Sequence, residues 1–260
     1  MARTSLTPIT LALHRPACDP DMDDREQLEI AHELTRFHRA AMPRLNRRIA
    51  TFVRDANARI VTGHTDDVVE TLPEAVLPET SLADVLAVRR SVPRQALSGT
   101  IAPGELSALL SLAAGTNGAD ATPTRSYPSA GALYPCDIHV LRPGQPACRY
   151  DGQRHALVPQ GVIADVSLAE TGQPVSAPPC ALVITGNFAR TMTKYGGRGY
   201  RFAILEAGHI SQNLVLAATA LGLPSLVYGS FYDAELERML GIDGVGEAVL
   251  AVVLVGGATS

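Results

Sequence analysis

Two arginines and a serine, Arg89, Arg90 and Ser91, could together bind a phosphate group. A phosphate monoester carries about −1.5 to −2 charges at neutral pH and accepts several hydrogen bonds. Two guanidinium groups and a hydroxyl match that charge and those acceptors. The three residues follow a segment expected to be helical, however, and arginines in a last helical turn can instead complement the helix dipole and cap carbonyl groups. The residues themselves leave both interpretations open.

The run PSAGALYP at 128–135 consists mostly of small residues in a loop before an expected strand. Small side chains let a flat ring approach the backbone, whose N–H and C=O groups can then contact the polar edge of the ring. Gly229 and Ser230, at the end of another expected strand, offer a second approach of this kind. Ordinary surface turns have the same composition, so neither segment identifies a cofactor site by itself.

Lys194 and Tyr195 are candidates for proton transfer, and glycines at 196, 197 and 199 follow them. Both side chains can exchange protons if burial or neighbouring charges adjust their pKa values. The glycine-rich segment is predicted to be a mobile loop that can bring its backbone close to a ligand. A flexible surface loop with solvated cations would have the same pattern.

Glu206, His209 and Asn213 share one stripe of the longest apolar segment, which predicts a helix over 200–221. Glu-x-x-His is half of a carboxylate di-metal motif, but such sites need a second copy, which this sequence lacks. No metal site is predicted, and the stripe is expected to form hydrogen bonds at a helix-packing or subunit interface. The sequence also has no Walker-type loop and no dinucleotide-binding glycine motif after a strand, so a Rossmann NAD site is not predicted.

The helices that would position these residues follow from apolar spacing and from capping residues. Apolar residues recur every three or four positions between Ile30 and Phe52, and Pro43 interrupts them, which predicts two helices or one kinked helix with arginines on a solvated face. Ser81 begins a capped helix whose residues Leu82, Val85 and Leu86 are expected to point inward. Further helices are predicted from 103 to 115 and from 233 to 240.

Strands are expected between and after these helices. Short apolar runs predict strands at 138–141, 181–185, 225–229 and 249–255, and Asp151-Gly152 predicts a hairpin with a tight turn at 149–154. Strands and helices that do not alternate regularly indicate an α+β fold.

Composition limits the remaining classes of function. A formal net charge of −4 gives no overall attraction to nucleic acid, and no run of about 18 apolar residues predicts a membrane span. The first residues lack the long apolar segment of a signal peptide. The four cysteines are too widely spaced for a zinc site or a disulfide framework, so we expect reduced thiols in a cytoplasmic protein.

Five segments occur in an order that resembles the SagB-type dehydrogenases of the nitroreductase superfamily, over roughly residues 70–256. The members of this family are FMN enzymes that oxidise thiazolines and oxazolines to thiazoles and oxazoles in ribosomally made peptides. The resemblance implies a nitroreductase-like α+β fold, with a central mixed or antiparallel sheet flanked by helices. It also implies a helical N-terminal extension and linker at 1–75 and an FMN-binding domain at 76–260. The segments are Leu72-Pro73-Glu74, Arg89-Arg90-Ser91, PSAGALYP at 128–135, KYGGRGYRF at 194–202 and LEAGHISQN at 205–213.

The same resemblance implies roles for particular residues. Where the family has an arginine two positions after the serine, this chain has Pro93, so Arg94 is the residue that could restore the missing phosphate contact. Residues of the loop at 128–135 usually come from the partner subunit. The implied roles are phosphate binding for Arg89, Arg90 and Ser91, contact with the isoalloxazine ring for Pro128, Ser129 and Ala130, approach to the reactive ring nitrogen for Gly229 and Ser230, and azoline dehydrogenation for Lys194 and Tyr195.

The implied function is FMN-dependent oxidation of peptide azolines by a homodimer, with a peptide substrate and a cyclodehydratase complex as partners. Two alternatives remain open at this point. One is an NAD(P)H-dependent reductase of a nitro group, quinone or dehydroamino acid, which needs no nucleotide motif because the nicotinamide stacks on the flavin. The other is an inactive scaffold in a peptide-modifying complex, which only Pro93 favours.

Overall fold

The computed structural model describes residues 24–36, 39–56, 70–97, 101–117, 124–169 and 180–257. Within these ranges a seven-stranded sheet lies at the centre, and every strand pair in it is antiparallel. The predicted α+β fold is therefore confirmed, with an antiparallel sheet and no parallel pair among the described strands. In spatial order, the strands are β1 (Glu70–Thr71), β6 (Ala156–Ile163), β5 (Pro146–Asp151), β4 (Cys136–Leu141), β7 (Cys180–Asn187), β9 (Glu247–Val255) and β8 (Ser225–Tyr228), and a separate pair consists of β2 (Thr116–Asn117) and β3 (Thr124–Arg125).

Helices precede, flank and follow this sheet. The interrupted N-terminal pattern forms two helices, and Pro43 lies in the first turn of the second, where its missing N–H costs nothing. The helices in the described ranges are α1 (Asp24–Leu34), α2 (Met42–Ala56), α3 (Leu82–Val88), α4 (Pro103–Ala114), α5 (Phe188–Tyr195), α6 (Arg198–Ala220) and α7 (Asp233–Leu240). The boundary near residue 75 between an extension and a domain stays a prediction.

The core lies on both faces of the sheet. Leu182 and Ile184 of β7 face one cluster, which α4 and α6 cover, and Ala181 and Val183 face the other, which α7 helps to cover. Because both faces are covered, the central strands are apolar at nearly every position instead of alternating with polar residues. That pattern explains why β7 and β9 are evident as apolar runs in the sequence.

Two local predictions were wrong. Only Val85 of α3 is buried, whereas Leu82 and Leu86 are 66% and 54% exposed, because this short helix packs on α6 along one side. The β5–β6 hairpin has a four-residue turn, Gly152–His155, instead of a two-residue Asp-Gly turn. Asp151 accepts hydrogen bonds from the N–H groups of Gln153 and Arg154 and thereby stabilises the longer turn.

The strand register brings several of the singled-out segments to one end of the sheet. Cys136, at the start of β4, pairs with Gly186 near the end of β7, and Gly186 pairs with Ala248 near the start of β9. β8 runs antiparallel to β9 and ends toward the same side. The loop at 128–135, the helix after β7 and the residues after β8 therefore lie at a common end.

Other structural features bear on the excluded classes of function. Among the described residues, no helix combines the length and the apolar character that crossing a bilayer requires. No group of three or more His, Cys, Asp or Glu side chains within the described ranges is placed to share a metal ion. Cys136, Cys148 and Cys180 are buried thiols, and Cys18 lies outside the described residues.

Candidate active site

The loop at 128–135 has an unusual backbone. Gly131, Ala132 and Tyr134 have φ values of 64°, 52° and 44°, in the left-handed region that residues other than glycine rarely adopt. Ser129 Oγ accepts a hydrogen bond of 2.9 Å from the N–H of Tyr134 and holds the loop in this shape. Such conformations cost non-glycine residues, here Ala132 and Tyr134, about 1–3 kcal/mol each and persist only where the surroundings enforce them. The loop is therefore a constrained structure and not an ordinary surface turn.

Helix α6 fixes both ends of this loop. Glu206 Oε1 accepts a hydrogen bond of 3.2 Å from the N–H of Cys136, directly after the loop. Asn213 Nδ2 donates to the carbonyl oxygens of Ser126 and Ala113, at 3.1 and 3.2 Å. The expected hydrogen-bonding stripe thus forms at two of its three positions, since His209 is exposed and makes no such bond with a described residue.

Glu206 is a buried acid beside the loop, with 2% of its surface exposed. Its Oε2 atom has no hydrogen-bond partner among the described residues. Burial raises the pKa of Glu206, and the Ser129 hydroxyl, the Cys136 N–H and Arg125 only partly oppose that rise. The Arg125 guanidinium lies 5.0 Å from the centre of the Tyr134 ring, and its Nη1 donates to Tyr127 Oη at 2.8 Å. The base of the loop is therefore a buried polar network.

Glu206→Gln should change the pH dependence of stability. The folded-state pKa of Glu206 lies above its ordinary value of 4.5, so the folded state holds the proton more tightly than the unfolded state. The stability that Glu206 contributes should be lost as the pH rises through that folded-state pKa, and the variant, which cannot ionise there, should not show this loss. Thermal unfolding between pH 4 and pH 8 measures this, and identical slopes for both proteins would contradict it.

Lys194 and Tyr195 lie against the loop. A Cβ atom on Gly131 would stand 2.7 Å from Lys194 Nζ and would also meet Tyr195 Oη. Both side chains are half-buried, and they belong to the last turn of α5. The prediction of a mobile loop at this pair was wrong, because a helix precedes the glycines. The structure nevertheless joins two motifs that are far apart in the sequence.

Arg190 ties α5 to the same loop, and sequence reasoning missed it. Its Nη2 pairs with Oδ2 of the buried Asp137 at 2.8 Å, and its Nη1 donates to the carbonyl oxygen of Tyr134 at 3.1 Å. Arg190 lies one helical turn before Lys194, so predicting α5 would have placed the two on one face.

A second missed signal is compositional. Lys194 is the only lysine in a chain that contains 22 Lys and Arg residues. Arginine stays protonated in proteins, whereas a lysine amine can give up and take up a proton. The chain therefore has its single exchangeable side-chain amine at the position that contacts the constrained loop.

Gly131→Ala should disable the site without unfolding the protein. The added Cβ meets Lys194 Nζ and Tyr195 Oη, and the φ of 64° already strains any residue with a side chain. We expect about a tenfold loss or more of whatever reaction these two side chains catalyse, with the fold retained. Gly144→Ala is the matched control, since its φ of 71° imposes the same strain and its Cβ meets no atom within 4 Å. Equal turnover by the two variants would contradict the contact.

The arginine pair after α3 has guanidinium groups with no partner among the described residues. The backbone N–H of Arg89 donates to the carbonyl oxygen of Val85, and neither Arg89 nor Arg90 makes a side-chain ion pair or hydrogen bond with a described residue. The arginines thus do not cap the helix through their guanidinium groups. Ser91 is exposed, and Arg94 follows Pro93 in a short 3-10 turn and is half-buried.

Strand β8 connects this segment with Gly229 and Ser230. The N–H of Val92 donates to the carbonyl oxygen of Ser225, at the start of β8, at 3.1 Å. Gly229 follows the end of the strand, about 13 Å further at about 3.3 Å per residue, and a Cβ there would meet nothing within 4 Å. Two unengaged guanidinium groups at one end and open backbone at the other fit an elongated cofactor with a phosphate tail, such as FMN.

A cavity of about 890 Å³ lies at this end of the sheet. Its walls come from α1, α5, α7 and the start of β9, and they include Leu34, Met192 and Leu250. The carboxylates of Asp233 and Glu237 line it on one side. The constrained loop, the Lys194 amine and the Tyr195 phenol lie at the same end of the sheet as this cavity, but none of Gly131, Lys194 and Tyr195 is among the residues that line it.

Comparisons with known sequences indicate one protein family. Residues 86–257 match the model of a family described as the Nitroreductase family. The protein MJ1384 of Methanocaldococcus jannaschii, named provisionally as a nitroreductase, is 37% identical over 175 residues, which are 64% of this chain and 87% of that protein. The microcin B17-processing protein McbC of Escherichia coli is 31% identical over 146 residues, which are 51% of this chain and 54% of McbC.

Solved structures have the same fold. A Ralstonia eutropha JMP134 protein, also named provisionally as a nitroreductase, matches with a TM-score of 0.65 and 26% identity over 74% of this chain and 90% of that one. A chain of the E. coli microcin synthetase McbBCD complex, solved with truncated pro-MccB17 bound, matches with a TM-score of 0.58 and 22% identity. That second match covers 90% of this chain and 98% of the other, and it concerns the fold alone.

Proposed function

Because the chain belongs to the nitroreductase family, we propose that it is an FMN-dependent dehydrogenase that oxidises thiazolines or oxazolines of a peptide to azoles. The observation that carries the proposal is the contact of Lys194 and Tyr195 with Gly131. A flavin reductase that only exchanges hydride with a nicotinamide does not need an amine and a phenol at that place. The resemblance to SagB-type enzymes and the identity with the microcin B17-processing protein McbC support a peptide substrate.

We propose that the cofactor lies along β8. Arg89, Arg90, Ser91 and Arg94 would hold the phosphate, and the backbone of Gly229 and Ser230 would approach the ring. Pro128, Ser129 and Ala130 would contact the ring of the partner subunit's cofactor. When bound, FMN would supply the redox chemistry by accepting the hydride that leaves the azoline β-carbon, and dioxygen is the terminal oxidant that we propose.

The chain's own contribution is to move a proton. The α-carbon proton of an azoline is acidified by the adjacent C=N and carbonyl groups, but its loss still needs a base. The neutral Lys194 amine or the Tyr195 phenolate would take this proton, and the other side chain would orient the ring nitrogen. The substrate thus loses one proton and one hydride, and the aromaticity of the product drives the reaction.

We propose a homodimer, because α6 and α3 leave large apolar side chains uncovered. Leu205 of α6 is 53% exposed, and Leu82 and Leu86 of α3 are exposed as well. Leu205→Glu should convert the dimer to monomers that bind FMN weakly, since burying an unpaired carboxylate is costly. Light scattering with flavin quantitation checks this. A monomeric wild-type protein with one FMN per chain would contradict the dimer.

The reductase alternative keeps one specific support, which is the higher identity to MJ1384 than to McbC. Stopped-flow mixing with NADPH separates the two functions. Fast loss of the flavin absorbance would favour the reductase, and a slow or absent response would favour the dehydrogenase.

The visible spectrum of the purified protein tests the cofactor. Flavin absorbance with about one FMN per chain is the expected result. A colourless protein that takes up no added FMN would overturn the enzyme proposal and favour a scaffold in a peptide-modifying complex. As a dehydrogenase, the protein would act beside a cyclodehydratase complex, which we propose as its partner.

A further inference from the structure

We infer that helix α2 is part of the active site and that Phe52 is a positioning residue for the Lys194 amine. The inference rests on the proposed function and adds to it a role for the N-terminal helices. The observation behind it is that Lys194 Nζ lies over the Phe52 ring, 5.4 Å from its centre.

Three groups surround the amine. Lys194 Nζ lies 5.4 Å from the centre of the Phe52 ring and 5.1 Å from that of Tyr195, and Gly131 lies on a third side. The amine has no hydrogen bond or ion pair with a described residue. Its neighbours are therefore aromatic rings and not a carboxylate. A carboxylate partner would hold a lysine in its charged form. A ring face also attracts the cation, and in an exposed setting this attraction shifts the equilibrium by a factor of roughly two to five.

The N-terminal helices are fitted onto the glycine-rich segment. A Cβ on Gly196 would stand 2.7 Å from Arg48 Nη1, and a Cβ on Gly197 would stand 2.5 Å from the carbonyl oxygen of Leu34. Arg198 Nη1 donates to the carbonyl oxygen of Thr35 at 3.2 Å. Because these two glycines have no side chains, α1 and α2 can pack against this segment, which is therefore not a mobile loop. The same contacts keep Phe52 of α2 next to Lys194.

This arrangement assigns a function to Phe52 during turnover. When the amine accepts the α-carbon proton, it becomes a cation whose charge faces the ring. The ring also limits the directions in which the flexible lysine side chain can point. Loss of the ring should therefore slow proton transfer and leave peptide and flavin binding in place.

Phe52→Leu should lower kcat by about three- to tenfold with little change in KM, because leucine keeps the apolar bulk but has no ring face. Phe52→Tyr should restore the wild-type rate. Val53→Ala is the control, since Val53 is adjacent on α2 and exposed. Wild-type kcat in Phe52→Leu would overturn the inference.

A second readout does not depend on activity. Because Lys194 is the only lysine, reductive methylation with ¹³C-formaldehyde labels one lysine, whose NMR signal is distinct from that of the α-amino group. We expect cross-peaks between the labelled methyl groups and the Phe52 ring protons, and a ring-current shift that decreases in Phe52→Leu. A wild-type signal at the position of a solvated dimethyl-lysine, without those cross-peaks, would overturn the inference even if the variant did not fold.

Lys194→Ala, assayed in parallel, separates this inference from the proposed function. If Lys194→Ala oxidises an azoline peptide at the wild-type rate, the proposed function fails, and with it the role of Phe52. If Lys194→Ala is inactive while Phe52→Leu matches the wild type in rate and in NMR signal, only the inference about Phe52 fails.

Discussion

Lys194→Ala and Tyr195→Phe should each keep the yellow flavin and lose about 10²–10⁴-fold in azoline oxidation. General base catalysis contributes a factor of this size when the proton comes from a weakly acidic carbon. Both side chains meet at Gly131, and the Arg89–Arg90 segment that we propose for phosphate binding follows α3, a different element. Mass spectrometry of a thiazoline peptide, counting losses of two hydrogens, measures the rate.

Thr193→Ala is a suitable control for these two variants. Thr193 lies beside Lys194 on α5 and is exposed, and among the described residues its hydroxyl bonds only the Ala189 carbonyl of the same helix. Arg48, although exposed on α2 as expected from the sequence, is a poor control because it contacts the Gly196 position. A wild-type rate in Lys194→Ala would remove the Lys-Tyr assignment and favour the reductase.

The double variant Arg89→Ala/Arg90→Ala should weaken FMN binding by about 10²–10⁴-fold while the fold stays intact. Each hydrogen bond to a charged group contributes about 1.5–3 kcal/mol, and the two losses add. Neither guanidinium bonds a described residue, so their removal should cost the protein little stability. Flavin fluorescence titration gives the Kd, and thermal unfolding reports the fold.

Arg44→Ala/Arg47→Ala is the charge-matched control, because both arginines are exposed on α2. It should retain FMN at the wild-type Kd. If Arg94 compensates for Pro93, Arg94→Ala should weaken FMN binding by about as much as the loss of one hydrogen bond to a charged group. Unchanged flavin occupancy in the Arg89/Arg90 variant would place the phosphate elsewhere.

Much of the fold was predictable because strong local signals agree with the tertiary structure. Ser81 Oγ accepts the N–H of Asp84 as its spacing indicates, and α7 begins at Asp233 and ends at Leu240 as expected. Helix α5 was missed because its eight residues, FARTMTKY, are too few to establish a period, although Phe188, Met192 and Tyr195 recur at helical spacing. Tertiary contacts stabilise it: the backbone of α5 passes so close to Gly199 that a Cβ there would stand 2.7 Å from Met192 N. Contacts of that kind have no periodic signature.

The motifs of the candidate site could be predicted from the sequence, but the contacts that hold them in place could not. The motifs around Gly131 and Lys194 were each visible, and the structure brings them into contact. The pair Arg190–Asp137 and the contact from Phe52 join elements far apart in the chain, and nothing in the spacing of those residues indicates the pairing. Likewise, the left-handed backbone of Tyr134 depends on the bond to Ser129 and cannot be inferred from residue type.

Anaerobic mixing of the FMN-loaded protein with a thiazoline peptide tests the proposed function most directly. We expect the flavin absorbance to disappear in one turnover while the peptide loses two hydrogens per flavin reduced. Admission of dioxygen should then restore the absorbance and allow further turnover. The assignment as an azoline dehydrogenase would be contradicted if the flavin stayed oxidised and the peptide mass did not change. The same protein would also have to show that NADPH reduces its flavin within the same time.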